Sequence, residues 1–234
     1  MNDHDSTGFT GDRALKDPDD DKLGFRTVAQ RLARSLLDDG LKNGYVVGIE
    51  GEWGSGKSSL LFLITKELEH LPQDKRPSII NFRPWLIGNR DALLALLFGE
   101  LSEELDSVAE ERSSSTAFKE RAETARNALR SFMAGIGKAG AAIERIADAS
   151  GIQSLKIIAK SVNAVKAILE GKETPPQLSI LKNNLVEALE NLDHRFIITI
   201  DDVDRLDPRE VIEILRLVRS VADLPNVVYV LLYD

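Results

Sequence analysis

The chain has 234 residues, 43% of them hydrophobic and 29% charged, with a net charge of −8. That composition belongs to an ordinary folded domain and excludes a fibrous or wholly disordered chain. The acidic balance argues against a protein whose whole surface grips nucleic acid, although residues 1–24 alone hold seven Asp against three Lys or Arg.

In chain order, residues 1–22 read as a mobile tail, rich in Asp and Gly and poor in large apolar groups. Phe25, Val28, Ala29, Leu32, Ala33, Leu36 and Leu37 then recur at helical spacing along one face, and Gly40 and Gly44 end that helix. Tyr45–Glu50 is a short apolar run rich in β-branched residues and predicts a buried strand. It feeds directly into Gly51–Ser58 and a helix with Leu60, Leu61, Ile64 and Leu68 inward. Ser78–Phe82 predicts a second strand, and residues 91–109 a helix carrying Leu93, Leu94, Leu97, Leu101 and Leu105. Residues 113–178, rich in Ala, Ser, Lys and Glu, show helical patterning and no strand signal, and end at Pro175 and Pro176. A helix over Leu178–Leu192 returns to the core. Arg195–Ile200 predicts a third strand ending in Asp201 and Asp202. Asp207, Pro208 and Glu210 then make a cap, a first-turn proline and an acid three residues on, which start a helix running to Asp223. Val227–Tyr233 predicts the fourth strand. Strands that alternate with helices and are apolar throughout indicate an α/β parallel sheet covered on both faces.

The segment Gly51-Glu52-Trp53-Gly54-Ser55-Gly56-Lys57-Ser58 fits G-x-x-x-x-G-K-[ST], between a strand and a helix. Gly51, Gly54 and Gly56 permit turns that a Cβ would block, so that successive amides, Ser55 included, converge on an anion. The following helix adds its positive end, Lys57 reaches β- and γ-phosphates, and the Ser58 hydroxyl is a ligand for magnesium. Ser59 fills neighbouring contacts. Trp53 either packs beneath the loop or stacks near a nucleotide. A phosphate loop of this kind needs a carboxylate at a neighbouring strand end to hold magnesium through water, and Asp201 is placed for it. Asp202 follows, positioned to orient or deprotonate the attacking water. Arg205 either contacts a γ-phosphate, pairs with Asp202 or Asp204, or reaches a neighbouring subunit. Asp234 ends the fourth strand, where related folds put a polar residue that senses the γ-phosphate.

These segments resemble the KAP P-loop NTPases. The matching pieces are LGFRTVAQRLARSLL, GIEGEWGSGKSSLL, NFRPW and FIITIDDVDRLDPREVIEILRLVRSV. The resemblance implies an ATPase with a three-layer P-loop core of the additional-strand subclass. That core takes residues 23–99 and 179–234, is interrupted by a helical insertion over 100–178, and follows a tail over 1–22. It places phosphate binding on Gly51 to Ser58, magnesium on Asp201 and water activation on Asp202. It implies a fifth strand and a C-terminal helical part beyond Asp234, so the core is expected to be incomplete at its C-terminus and the chain the N-terminal part of a longer protein. The insertion often holds two membrane helices in this family; here residues 100–178 lack such spans. Some bacterial members are linked to phage exclusion, which is an analogy of family alone.

The expected cofactors are ATP and magnesium. ATP is favoured over GTP, since no Asn/Thr-Lys-x-Asp guanine reader occurs and Thr65-Lys66-Glu67-Leu68 lacks the acid. The leading expectation is an ATPase that turns nucleotide state into a conformational signal, and the alternative is a nucleotide-binding scaffold with little turnover. Protein partners or self-association through the insertion are expected, and no membrane span is visible. The absence of cysteine and of a secretory signal fits the cytoplasm. The face carrying Lys156, Lys160, Lys166 and Lys172 reads as solvated, with nucleic acid as the other reading. Trp85 is read as core, Arg83 as a surface ion pair or a phosphate contact, and Phe25 as core or a base contact. His4, His70 and His194 are scattered and make no metal cluster.

Overall fold

The computed structural model describes residues 14–83, 90–112, 115–135, 178–203, 206–221 and 223–234. Its elements are α1 (Arg26–Leu36), β1 (Tyr45–Glu50), α2 (Lys57–Glu69), β2 (Ser78–Phe82), α3 (Arg90–Glu111), α4 (Thr116–Gly135), α5 (Leu178–Leu192), β3 (Phe196–Ile200), α6 (Pro208–Val221) and β4 (Val227–Tyr233). The four strands form one parallel sheet in the order β1-β4-β3-β2. Parallel pairing needs long crossovers, and the helices between the strands supply them.

Side-chain alternation divides the sheet between two cores. Ile197 of β3 and Val228, Val230 and Leu232 of β4 are buried with Ala29, Ala33 and Leu36 of α1 and Leu63, Ile64 and Leu68 of α2. Phe196, Ile198 and Ile200, with Val227, Tyr229 and Leu231, are buried on the opposite face among α3, α4, α5 and α6. The result is a helix–sheet–helix sandwich, the α/β parallel-sheet architecture expected.

The alternation also corrects two expectations. Val28 of α1 is exposed, while Leu63 of α2 takes a core position. The edge strand β1 is not covered on both faces. Val47 and Ile49 pack toward α1 and α2, but Tyr45 and Val46 are exposed, and Gly48 and Glu50 are exposed too. The Tyr233 ring crosses that face; its hydroxyl would lie 2.8 Å from a Cβ placed on Gly48.

The expected start of the insertion at residue 100 falls inside the continuous helix α3. Phe118, Ala122, Ala125 and Leu129 of α4 join the same core as Leu97 and Leu101 of α3 and Leu185 and Leu189 of α5. Residues 14–22, assigned by composition to the tail, contain a 3-10 turn over Pro18–Asp20. The part of the insertion over 136–177 lies outside the described residues.

At the strand N-terminal ends the chain is tied by polar groups. Arg195 donates to the carbonyls of Leu41 (2.8 Å) and Asp38 (3.0 Å), fixing the α1–β1 connection onto β3. Asn226, buried and left-handed at φ 61°, donates its amide to Leu189 O at 3.1 Å. His194 is buried, bonded to Ser78 Oγ at 2.9 Å and edge-on to Phe196. Burial, with Arg112 adding, pushes the His194 imidazole down to about 4. The unfolded chain therefore binds its proton first. The His194 contribution to stability is complete above about pH 6.5 and is lost as pH falls through 4, about 3 kcal/mol in all. Urea unfolding at pH 7, 5 and 4 should show this loss in the wild type and a flatter profile in His194→Gln.

Candidate functional site

The phosphate loop begins where β1 ends. The Gly51 amide donates to Tyr233 O at 3.2 Å, a last rung between β1 and β4. The Ser55 amide then closes a turn on Glu52 O at 3.0 Å. Gly54 (φ 81°) and Gly56 (φ 90°) take left-handed backbone that side-chain-bearing residues adopt only at a cost. A Cβ on Gly51 would meet Ser55 Oγ at 2.6 Å. Gly56 caps α2 and accepts from the Leu60 amide at 2.8 Å. Lys57 Nζ donates to Gly51 O (2.5 Å) and Glu52 O (3.2 Å), which holds an ammonium within the loop. The first amides of α2 have no helical acceptors and carry the positive end of its dipole. Ser58 and Ser59 follow on the first turn, both half-buried.

An N-terminal brace flanks this turn. The Phe25 ring comes within 2.7 Å, and Leu23 Cδ1 within 3.4 Å, of where a Gly56 Cβ would stand. The Leu15 amide donates to Ser59 Oγ at 3.1 Å, so that hydroxyl is engaged by the chain itself. Asp21 caps the start of α1, accepting from Phe25 N–H (3.1 Å) and Arg26 N–H (2.8 Å). These amides, Arg26 first, hold its carboxyl below the usual carboxylate range. Phe25 packs on the α1–α2 core. Trp53 does not pack beneath the loop: it is 70% exposed at the rim.

The acids stand two strands away. Ile197 lies in the α1–α2 core and Ile198 and Ile200 in the other, so alternation puts Thr199 and Asp201 on the loop's side of the sheet. Ile200 pairs with Leu231 and Leu231 with Gly48. Asp201, one residue on, is thus level with Leu232 and Ile49, just short of the loop, at a lateral separation of about 10 Å. Asp201 Oδ1 accepts the Asp202 amide at 2.8 Å, and Asp202 has φ 59°. Asp tolerates this left-handed conformation better than most residues, and non-glycine residues of this kind concentrate at functional sites. Val203 turns back into the core. The start of α6 is closed as its sequence predicted: Asp207 Oδ1 accepts from Arg209 N–H and Glu210 Oε2 from Asp207 N–H, both at 2.9 Å.

The donor set suits the expected ligands. A helix-end amide cluster with one ammonium matches a phosphate chain. One hydroxyl and one carboxylate on the same side of the sheet match magnesium, a hard ion that keeps several waters. Asp204 and Arg205 lie outside the described residues. Asp234 sits exposed at the end of β4.

Sequence patterning missed one polar pair on this face. The buried Thr199 donates its hydroxyl to Asn81 Oδ1 of β2 at 2.9 Å. The signal available was a lone Asn and a lone Thr inside otherwise apolar strands. Arg83, exposed after β2, acts on α3: it opposes the burial and the Glu103 charge that push the Glu100 carboxyl up to about 7. His70 is exposed, with Nδ1 2.6 Å from Lys66 O. Among the described residues no group of His, Cys, Asp or Glu is arranged to hold a metal by itself, and no helix is long and apolar enough to cross a membrane. His4, Trp85, Lys156, Lys160, Lys166 and Lys172 lie outside the described residues.

The KAP family P-loop domain matches residues 25–234. The chain is also 33% identical over 239 residues to the "Phage T7 exclusion protein" of Escherichia coli (strain K12); the alignment covers 95% of this chain and 30% of that one. The chain therefore spans under a third of the curated relative's length. With its glycine loop, its parallel sheet and a match over nearly the whole sequence, this chain belongs to the KAP family of P-loop NTPases.

Proposed function

We propose that this domain binds Mg-ATP and hydrolyses it, using the cycle as a conformational motor or switch. The observation that carries the reading is the pairing of a lysine-bearing glycine loop on β1 with the Asp201 carboxylate at the tip of β3, on one side of the sheet, with Asp202 the next residue. The loop amides of Gly51 to Lys57 bind the phosphate oxygens, and Lys57 exchanges its bonds to Gly51 O and Glu52 O for bonds to the β- and γ-phosphates. Ser58 and Asp201 would hold the magnesium ion. That ion, when bound, neutralises the charge that develops on the phosphate oxygens. Asp202 orients the attacking water and accepts its proton. Arg205 follows Asp202 in the sequence as a γ-phosphate contact, an ion-pair partner of Asp202 or Asp204, or an intersubunit contact, and Trp53 and Ser59 flank the nucleotide site.

The curated relative is named for exclusion of phage T7. We extend to this chain a place in anti-phage defence within the cytoplasm, with further protein partners or self-association.

A second reading, a nucleotide-binding scaffold with little turnover, is favoured by one observation. Asp202 is one methylene shorter than the glutamate common at this position, and its own amide is tied to Asp201. Phosphate release by the full-length protein separates the two. Asp202→Asn should lower turnover about hundredfold or more with Mg-ATP affinity retained. A wild type that binds Mg-ATP without releasing phosphate would leave only the scaffold.

A further inference from the structure

The chain ahead of α1 is fastened to the start of α2 at two places. Leu15 packs on the α1–α2 core, and its amide donates to Ser59 Oγ on the first turn of α2. Leu23 and the Phe25 ring come down on Gly56, the residue that ends the glycine loop and caps α2. Between these anchors the segment shapes itself through short-range bonds. Asp17 accepts from the Asp19 amide at 2.9 Å and caps the 3-10 turn. Asp19 pairs with Arg26 at 3.7 Å, and Gly24 makes the turn into α1 at φ 72°.

Those local bonds are made in water. Lys16, Asp17, Asp19, Asp20 and Lys22 are exposed, and Leu23 is 67% exposed. The apolar anchors Leu15 and Phe25 are only partly buried. A segment with few buried contacts and exposed polar bonds opens alone, at a fraction of the cost of unfolding the domain. An exposed ion pair such as Asp19–Arg26 adds little against that. The opening is not independent of the loop. Closure needs the left-handed turn at Gly56 and the first turn of α2 in place, because its contacts are made to Gly56 and Ser59. Phosphate binding needs the same turn, because the amides that face an anion run through the loop to the start of α2. Two sets of contacts that require one backbone conformation favour each other.

We propose that residues 15–25 are a nucleotide-coupled strap: phosphates on the loop favour the strap closed on α2, and the closed strap tightens the hold on nucleotide. The inference rests on the nucleotide-binding part of the reading above and needs no turnover. The coupling is reciprocal, so the factor by which nucleotide shifts the strap equals the factor by which the closed strap raises affinity. Nucleotide occupancy is thereby reported at the surface of the domain, ahead of α1.

The test uses the full-length protein, with hydrogen exchange followed by mass spectrometry, equilibrium binding of Mg-AMP-PNP and thermal melting. Saturating Mg-AMP-PNP should slow exchange of the bonded amides of residues 15–25, that of Leu15 above all, about fivefold or more, with α4 unchanged. Leu15→Pro deletes the amide that reaches Ser59, and Leu15→Ala deletes the apolar anchor. Each should weaken Mg-AMP-PNP binding about two- to tenfold and speed exchange in the rest of the strap, with the melting temperature within about 2 °C of wild type. Exchange over residues 15–25 that ignores saturating nucleotide, or that slows no more than α4 does, overturns the proposal. So do Leu15 variants that bind Mg-AMP-PNP like wild type, or whose lost affinity arrives with a collapse of the melting curve. A wild type that does not bind Mg-AMP-PNP removes the nucleotide reading and this inference together, whereas binding with an unresponsive strap removes the inference alone.

Discussion

Lys57→Ala is expected to weaken Mg-ATP binding about tenfold to hundredfold while the domain stays folded. The lysine ammonium stands inside the loop on Gly51 O and Glu52 O. Hydrogen bonds to charged groups are worth about 1.5–3 kcal/mol each, and nothing else among the loop residues 51–59 carries a positive side chain. The side chain is only half-buried and contributes little apolar packing. Its removal should therefore move the melting temperature by no more than about 2 °C. Isothermal titration with Mg-ATP beside a melting curve gives both quantities. Wild-type affinity in the variant would remove the phosphate-loop assignment.

Gly56→Ala should do the reverse, harming fold and site together. Gly56 has φ 90°, and its missing Cβ would stand 2.7 Å from the Phe25 ring and 3.4 Å from Leu23. The left-handed backbone costs a side-chain-bearing residue roughly 1–2 kcal/mol, and the Phe25 ring must also move off the α1–α2 core. A fall of several degrees in melting temperature is expected. Mg-ATP affinity should drop with it, because Gly56 both shapes the loop and caps α2. The companion Phe25→Ala removes the obstructing ring; in the double variant the affinity should recover part of the way. If Gly56→Ala alone binds and melts like wild type, the brace does not support the loop.

What the sequence announced and what it concealed follow from the range of the interactions. The strands Tyr45–Glu50, Ser78–Phe82 and Val227–Tyr233 carry their signal in adjacent residues, and their limits could be read directly. The helix Leu178–Leu192 was equally legible between Pro176 and the β3 strand. The loop was legible because its motif is local: glycines for the turns, with Lys57 and Ser58 adjacent in the sequence. Other features depend on which parts of the chain meet. The exposure of β1 follows from its place at the sheet edge, which no window of its own residues encodes. Phe118, Ala122, Ala125 and Leu129 suit a surface helix or a core helix equally; only packing on α3 and α5 decides. The Leu15–Ser59 bond joins residues 44 apart and gives an acidic, tail-like segment a fixed place beside the loop. Thr199 and Asn81 lie 118 positions apart, and neither is unusual until the β2–β3 register sets them side by side.

The strand order has one more implication. The lysine loop hangs on β1 and the acid pair on β3, and β4 lies between them, paired to both. The spacing between the loop and the acids is thus set by two rows of backbone amides and carbonyls and not by flexible connections. β4 is a ruler, and it meets the loop at its tip, where Tyr233 O accepts from the Gly51 amide. Any partner or downstream segment that tilted β4 would open or close the gap between Lys57 and Asp201 without touching either. On the proposed reading, a purely mechanical input would in that way become a change in nucleotide turnover.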